Sequence, residues 1–179
     1  GIADLTIGSL NYHGQKDCND SEGFFIHPIA HNLIPQIGSI DSEGVAGEER
    51  KVIEETRKIF SYPHLKMAVT CVRVPVYYGH SLSITVKIAE KCTLREFAAS
   101  FYDAQGIAKF GRPSEFITPR SLPADGAVHV GRIRQGVGMD DCFSFWAVAD
   151  NLLKGAALNA IQIAESLFVQ KNAAVRGVF

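Results

Sequence analysis

Two alternating apolar runs, separated by a connection marked by proline and glycine, constrain the fold of this chain more than any other feature. Residues 66–74 predict one strand and residues 81–89 predict the next, because apolar side chains recur at every second position. One face of the first run comprises Met67, Val69, Cys71 and Arg73, and one face of the second comprises Leu82, Ile84, Val86 and Ile88.

Arg73 ends the apolar face of the first predicted strand, and His80 follows seven residues later, where the second strand begins. A guanidinium on such a face needs an anionic partner, because an unpaired buried charge is costly. Arg can bind a carboxylate through two N–H groups and His can transfer protons near neutral pH, so the two form a candidate active-site pair. Spacing alone leaves a second interpretation open, in which Arg73 pairs with a structural glutamate and His80 is a turn histidine.

Three further segments have helical periodicity: residues 47–60, 93–105 and 152–170. The expected inward face of the first helix comprises Val45, Val52, Ile53, Thr56, Ile59 and Phe60. Candidate caps are Thr93 with Glu96 for the second helix, and Asp150 or Asn151 for the third.

The remaining segments complete a sheet and its connections. Residues 128–134 and 142–149 predict two more strands joined by a Gly-rich connection, and residues 108–125 predict a loop. Residues 24–37 contain two prolines and are expected to be extended, whereas residues 1–23 are polar and are expected to be irregular. We therefore predict an α+β fold with a mostly antiparallel or mixed sheet and helices packed on one side.

Composition and charge exclude several classes of protein. The 179 residues suffice for a sizeable core, and 46% of them are hydrophobic, which is typical of a globular domain. A formal net charge of −1 argues against binding to nucleic acid or to an anionic membrane surface. Four scattered cysteines without a Cys-x-x-Cys motif favour reduced thiols, as in a cytoplasmic protein.

His27 and His31 have the spacing of helical zinc ligands. Pro28 and Pro35 disfavour a regular helix there, and no acidic or thiolate partner follows at a suitable spacing. We therefore expect no metal.

Several motifs together resemble one enzyme family. In chain order they are His31-Asn-Leu-Ile-Pro-Gln-Ile37, Gly47-Glu-Glu-Arg-Lys51, Glu55-Thr-Arg-Lys-Ile59, Thr70-Cys-Val-Arg-Val-Pro75, Gly79-His-Ser81, Val130-Gly-Arg-Ile-Arg134 and Trp146-Ala-Val-Ala-Asp-Asn-Leu-Leu-Lys-Gly-Ala-Ala-Leu-Asn-Ala-Ile-Gln-Ile-Ala-Glu165. This series resembles the C-terminal half of bacterial-type aspartate-semialdehyde dehydrogenase, from about residue 24 to residue 168. The last motif is the most specific, because both its sequence and its distance from the Gly-Arg-Ile-Arg segment fit the family.

The resemblance implies roles for five residues. His80 would be the catalytic acid/base, and Arg73 would bind the substrate α-carboxylate. Glu48 would contact the substrate, Lys51 would bind phosphate, and Asn151 would lie beside the NADP cofactor. The implied reaction is the NADPH-dependent conversion of aspartyl-β-phosphate to aspartate β-semialdehyde and phosphate, and its reverse, in the biosynthesis of lysine, threonine and methionine.

Two parts expected of this family are not found in the sequence: a Gly-rich dinucleotide-binding turn and a nucleophilic cysteine in an Asn-Pro-Gly-Cys setting. The chain is therefore expected to be inactive alone, with most of the NADP site and the nucleophile elsewhere. The resemblance implies residues 24–149 as a substrate-binding and dimerisation domain, and residues 150–179 as a C-terminal helix and tail that pack on the cofactor domain. It also implies a homodimer or tetramer. The alternatives are a dimerisation module or a family member without catalysis.

Overall fold

The computed structural model describes residues 25–102, 104–109, 112 and 114–176 of the chain. It divides into two compact units, Gly1–Tyr77 and Tyr78–Phe179, which are treated separately below. The irregular segment expected over residues 1–23 lies outside the described residues.

The first unit contains one helix, α1 (Gly47–Ile59), among its described residues, one residue shorter than predicted. Its N-cap is Ala46, which has no side-chain acceptor, so the carboxylate of Glu49 accepts the Ala46 N–H at 2.9 Å instead. This is half of a capping box, in which the residue three positions into the helix bonds back to the N-cap. The helix ends in a Schellman motif, because Ser61 has a φ of 52° and the Tyr62 N–H donates to Arg57 O at 3.0 Å.

The inward face predicted for α1 is only partly correct. Val52, Ile53 and Thr56 are half-buried, as expected. Ile59 and Phe60, however, are 77% and 67% exposed, because they lie at the helix end and nothing in the described chain covers them. Glu49, which was not assigned to the inward face, is buried instead.

The strand predicted over residues 66–74 is wrong. The segment is extended, and Met67, Val69, Cys71 and Arg73 are half-buried while their neighbours are exposed, as the alternation predicted. Among the described residues, its backbone pairing with another segment is a single bridge, in which Arg73 and Ile34 exchange backbone hydrogen bonds of 3.1 and 2.9 Å. A period of two shows that one face is covered, but it cannot show that a partner strand is present.

The second unit contains a four-stranded sheet, which confirms the predicted α+β fold. Its strands are β1 (His80–Lys87), β2 (Ile107–Lys109), β3 (Val128–Gly136) and β4 (Met139–Ala149). The spatial order is β1-β4-β3-β2, with antiparallel pairing of β4 to both neighbours and parallel pairing of β2 to β3. Three of these strands match the predicted ones to within a few residues, whereas β2 falls where a loop was expected because three residues carry too little pattern.

One face of the sheet forms the core together with α2 (Leu94–Ala99). Residues of this cluster are Ile84, Phe97, Ala98, Phe101, Ile107, Val128, Val130, Ile133, Phe145 and Ala147. The Phe97 ring also stacks on Phe143, which is fully buried, with 4.6 Å between centroids. Helix α2 therefore docks on the sheet through the aromatic ring of Phe97.

The other face of the sheet is covered in part by the segment that follows β2. Trp146 on β4 donates its indole N–H to Ile117 O at 2.8 Å. Gly131, paired with Trp146 across the sheet, has no room for a side chain, because a Cβ there would lie 2.5 Å from Glu115 O. The absence of a side chain at Gly131 thus lets this segment approach the sheet backbone closely.

The helix predicted over 93–105 is shorter than expected. Thr93 and Glu96 do form the predicted capping box, since the Thr93 N–H donates to the Glu96 carboxylate at 2.8 Å and the Glu96 N–H donates to Thr93 Oγ1 at 3.3 Å. After Ala99, however, the chain continues in tight turns, with the Phe101 N–H bonded to Ala98 O. Such turns keep Phe101 on the core side without a continuous helix.

The last predicted helix is also modified. It begins as a π-helical turn over Leu153–Ala157, where Ala156 has non-helical dihedral angles, and continues as α3 (Leu158–Arg176). Within the described residues, no helix is both long enough and apolar enough to cross a membrane.

The core arrangement predicts that Phe143→Ala lowers the free energy of unfolding by about 3–5 kcal/mol, because it removes a fully buried ring and the stacking partner of Phe97. Urea unfolding followed by circular dichroism measures this change. Phe116→Ala is the control, since the Phe116 side chain is largely exposed and its loss should cost about 1 kcal/mol or less. Equal losses for the two variants would contradict the proposed core.

Candidate functional site

Arg73 lies at the edge of a small cleft in the first unit. The cleft has a volume of about 130 Å³ and is lined by Phe25, Ile26, Ile34, Gln36, Gly38 and Arg73. The guanidinium carbon of Arg73 is 4.9 Å from the centroid of the Phe25 ring, a cation–π geometry. The bridge to Ile34 fixes the backbone of Arg73, and the guanidinium lies over the Phe25 ring.

No carboxylate pairs with Arg73 among the residues that the structure describes. The buried carboxylate of Glu49 is not a partner, because both of its oxygens accept backbone N–H groups, from Ala46 and from Cys71. The described structure therefore gives no support to the interpretation in which Arg73 pairs with a structural glutamate. As far as residues 25–176 are described, no acidic side chain pairs with its N–H groups, which suit the carboxylate of a ligand.

Glu48 lies on the first turn of α1 and Lys51 about one turn later, and the two pair with each other, with 3.3 Å between Nζ and Oε1. The first two N–H groups of the helix are already bonded, since the Gly47 N–H donates to Ser39 O and the Glu48 N–H donates to Ile37 O. The start of this helix therefore has fewer free N–H groups to donate to an anion than a helix N-terminus without such bonds. A phosphate here would depend on the Lys51 ammonium itself.

Cys71 is not a candidate nucleophile. Burial, and after it the carboxylates of Glu49 and Glu48, raise the pKa of the Cys71 thiol above its usual value. A raised pKa keeps the sulfur protonated near neutral pH, whereas a nucleophilic cysteine needs the thiolate. Burial, and then Asp141, likewise raise the pKa of Cys142.

His80 lies in the second unit, at the first position of β1, where its backbone pairs with Ala149. The sequence placed His80 at the start of this strand, and the structure confirms it. The preceding residue, Gly79, has a φ of 91°, a left-handed conformation that favours glycine. The imidazole is exposed at this end of the sheet, where a ligand can reach it.

Asn151 contacts the turn that precedes His80, because its Oδ1 accepts the Gly79 N–H at 2.8 Å. The expectation that Asp150 or Asn151 caps the last helix is wrong, because its N-cap is Leu152, which makes no side-chain cap hydrogen bond. Asp150 Oδ1 instead accepts the Leu152 N–H at 2.8 Å, in the turn before the helix. The bond to Gly79 also fixes the orientation of the Asn151 amide and leaves its NH₂ group as a donor.

The predicted site residues thus fall into two groups. Arg73, Glu48 and Lys51 lie in the first unit, and His80 and Asn151 lie in the second. Sequence reasoning missed the contributions of Phe25 and Glu49. The position of Glu49 could have indicated its role, since a glutamate three residues after the N-cap often bonds back to the N-cap N–H. The capping-box pattern was incomplete, however, because Ala46 is the N-cap.

The histidines considered for metal binding stand apart from these groups. His27 and His31 are both exposed on irregular chain. Over the described part of the chain, no three or more histidine, cysteine or acidic side chains cluster as metal ligands. Another histidine, His129, is buried and contacts the Asp125 carboxylate at 3.1 Å.

Comparison with known proteins connects the chain to one enzyme family. Residues 8–154 match the family described as "Semialdehyde dehydrogenase, dimerisation domain". The chain is 39% identical over 149 residues to the aspartate-semialdehyde dehydrogenase of Rickettsia bellii (strain RML369-C). This match covers 82% of the chain but 44% of the relative, so the chain spans less than half the length of this curated relative.

Two solved structures share the fold. Aspartate semialdehyde dehydrogenase II from Vibrio cholerae, complexed with ASA, matches with a TM-score of 0.81 and 35% identity, over 99% of this chain and 50% of that one. Aspartate semialdehyde dehydrogenase with NADP from Candida albicans matches with a TM-score of 0.62 and 25% identity, over 77% of this chain and 44% of that one.

Proposed function

The chain belongs to the family of the semialdehyde dehydrogenase dimerisation domain, and on this basis we propose that it is the C-terminal part of an NADP-dependent aspartate-semialdehyde dehydrogenase. The reaction interconverts aspartyl-β-phosphate and aspartate β-semialdehyde, in the synthesis of the aspartate-family amino acids. The observation that carries the proposal is Arg73, whose guanidinium lines a cleft without a carboxylate partner among the described residues. The substrate has an α-carboxylate that such a group binds.

In this proposal Arg73 binds that carboxylate through two N–H groups. The cation–π contact with Phe25 orders the side chain before the ligand arrives, so less rotational freedom is lost on binding. Lysine could not replace Arg73 fully, because an ammonium is a point charge and cannot form the bidentate contact.

Lys51 binds the phosphate of the acyl phosphate, and Glu48 orients the amino group of the substrate. Their mutual ion pair supports this assignment, since it holds a cation and an anion side by side on one helical turn. A zwitterionic, phosphorylated substrate presents charges complementary to both.

His80 moves a proton at the reacting centre. Its position after Gly79 supports the role, because the Asn151–Gly79 hydrogen bond restrains the turn that carries the imidazole. The remaining NH₂ donor of Asn151 fits the carboxamide or phosphate oxygens of the cofactor, which as NADPH would supply hydride and as NADP⁺ would accept it in the reverse reaction. A cysteine thiolate elsewhere in the complete protein would attack the acyl phosphate and release phosphate.

The isolated chain is inactive in this proposal, because the nucleophile and most of the NADP site belong to the remainder of the longer protein. The share of the Rickettsia relative that the chain spans supports this division. Residues 24–149 then form the substrate-binding and dimerisation domain, and residues 150–179 form the C-terminal helix and tail. A second candidate, favoured by the family's own description, is a dimerisation module without catalysis.

For Arg73, we predict that Arg73→Ala in the complete protein raises the KM for aspartate semialdehyde about tenfold or more. Arg73→Lys should also raise it, since the bidentate contact is lost. Steady-state kinetics with varied semialdehyde measure both. Arg120→Ala, on the exposed face of a short 3₁₀ turn, is the control and should leave KM unchanged. An unchanged KM for Arg73→Ala would remove Arg73 from the site.

For His80, we predict that His80→Ala lowers kcat by roughly 10²–10⁴, the usual contribution of a positioned acid/base. His27→Ala is the matched control, because His27 is exposed and has no assigned role. An unchanged kcat for His80→Ala would reassign His80 to structure. Absence of dehydrogenase activity in the complete protein without substitutions would favour the non-catalytic candidate.

We also predict that the isolated chain self-associates as a two-fold dimer, with a tetramer as the larger alternative. The family description supports this, as do exposed apolar side chains on α3: Ile161, Ile163, Leu167 and Phe168. Apolar patches of this kind tend to be covered by a partner, and a two-fold contact is the commonest solution. Sedimentation velocity over a tenfold concentration series measures it, and a monomer at every concentration would contradict the prediction.

A further inference from the structure

We infer that Glu49 is a positioning residue for the substrate carboxylate, because it ties the segment that carries Arg73 to the helix that carries Glu48 and Lys51. This inference rests on the proposed function, since it assigns Glu49 a role through Arg73. Glu49 itself contacts no ligand in this scheme.

The first observation is the pair of hydrogen bonds that Glu49 accepts. Its Oε2 accepts the Ala46 N–H at 2.9 Å, at the start of α1. Its Oε1 accepts the Cys71 N–H at 2.9 Å, from a residue 22 positions away in the sequence. The side chain is only 8% exposed, so water does not compete strongly for either bond.

The second observation is that these bonds close a ring of three segments. Cys71 lies two residues before Arg73, and Arg73 exchanges backbone hydrogen bonds with Ile34. The segment after Ile34 then returns to the helix, where Ile37 O and Ser39 O accept the first two helical N–H groups. Glu49 is the side chain through which the ring closes, and the remaining links are backbone to backbone.

The ring passes close to its own backbone at Gly38. This residue has a φ of 84°, and a Cβ there would lie 3.5 Å from Gly47 Cα. The segment that joins Arg73 to the helix is therefore short and in van der Waals contact with the start of the helix. We expect a change at Glu49 to move Cys71 and the residues beside it, since few residues separate these links.

A carboxylate is needed at position 49 because both oxygens act as acceptors. Glutamine has nearly the same shape but offers one acceptor and one NH₂ donor, so it would face one of the two backbone N–H groups with a donor. The two backbone bonds, from Ala46 first and Cys71 second, also lower the pKa of Glu49 and keep it ionised near neutral pH. The shorter aspartate keeps the charge but cannot reach both donors.

A purely structural cap predicts a different result from a positioning residue. A cap lost from α1 lowers stability but leaves substrate binding by the folded protein unchanged. A positioning residue changes the affinity for the group that Arg73 binds, because displacement of a binding group by about 1 Å already weakens the contact.

The experiment compares Glu49→Gln with Glu54→Gln in the complete protein, at a temperature where each variant is folded. Glu54 is the matched control, since it lies on the exposed face of the same helix. We expect Glu49→Gln to raise the KM for aspartate semialdehyde about tenfold to a hundredfold, with kcat within about threefold, and Glu54→Gln to change neither. Glu49→Asp should give a smaller rise in KM, and it serves as the test variant should Glu49→Gln not fold.

A double-mutant cycle separates this inference from the proposed function. If Glu49 acts through Arg73, Glu49→Gln should change KM by less than about threefold in an Arg73→Ala background. A rise in KM for Arg73→Ala but not for Glu49→Gln would overturn the positioning role and leave the proposed function standing. Equal effects of Glu49→Gln in both backgrounds would also overturn it. No effect of Arg73→Ala would overturn the role of Arg73 and this inference with it.

Discussion

The pairing of β1 with β4 is the constraint on which the second unit depends. β4 is paired on both edges, to β1 and to β3. Side chains on both faces of β4 are in contact with other parts of the chain: Phe145 and Ala147 with the core cluster, and Trp146 with Ile117. The register of β1 places His80 opposite Ala149, two residues before Asn151. A slip of one residue would move the apolar face of β1 to the other side, which burial of Ile84 against the core opposes. Hydrophobic alternation in β1 and β4 therefore determines where His80 is presented.

The comparison between sequence and structure shows which features a pattern can reveal. Alternation in β1, β3 and β4 predicted the strands, because each has one face against a core and a neighbour in the sheet. The same alternation over residues 66–74 predicted the half-buried face correctly and the strand wrongly. What replaces the ladder there is a carboxylate bonded to the Cys71 N–H. No local pattern encodes such a contact, because it joins residues far apart in the chain.

The site shows the same division. Arg73 and His80 stood out because an arginine at the end of an apolar face and a histidine at a strand start are chemically unusual. The residues that position Arg73 have no distinctive sequence pattern, since Phe25 resembles an ordinary core residue and Glu49 resembles an ordinary helical glutamate. Asn151 was an equally plausible helix cap, and only the fold shows that Leu152 is the N-cap while Asn151 bonds to Gly79. Residue chemistry can therefore identify candidate functional residues, whereas the position of their side chains depends on contacts between residues far apart in the sequence.

The two-residue turn between β3 and β4 also determines the order in which the sheet can assemble. Gly136 pairs with Met139, and Gly138 has a φ of 71°, so this hairpin closes through neighbouring residues. β1 must instead find β4 across a long intervening chain, since Lys87 pairs with Cys142. Closing a long loop costs more entropy and takes longer than closing a hairpin. We therefore expect the β3–β4 hairpin to form first, so that the strand that begins with His80 is added to a surface that is already present.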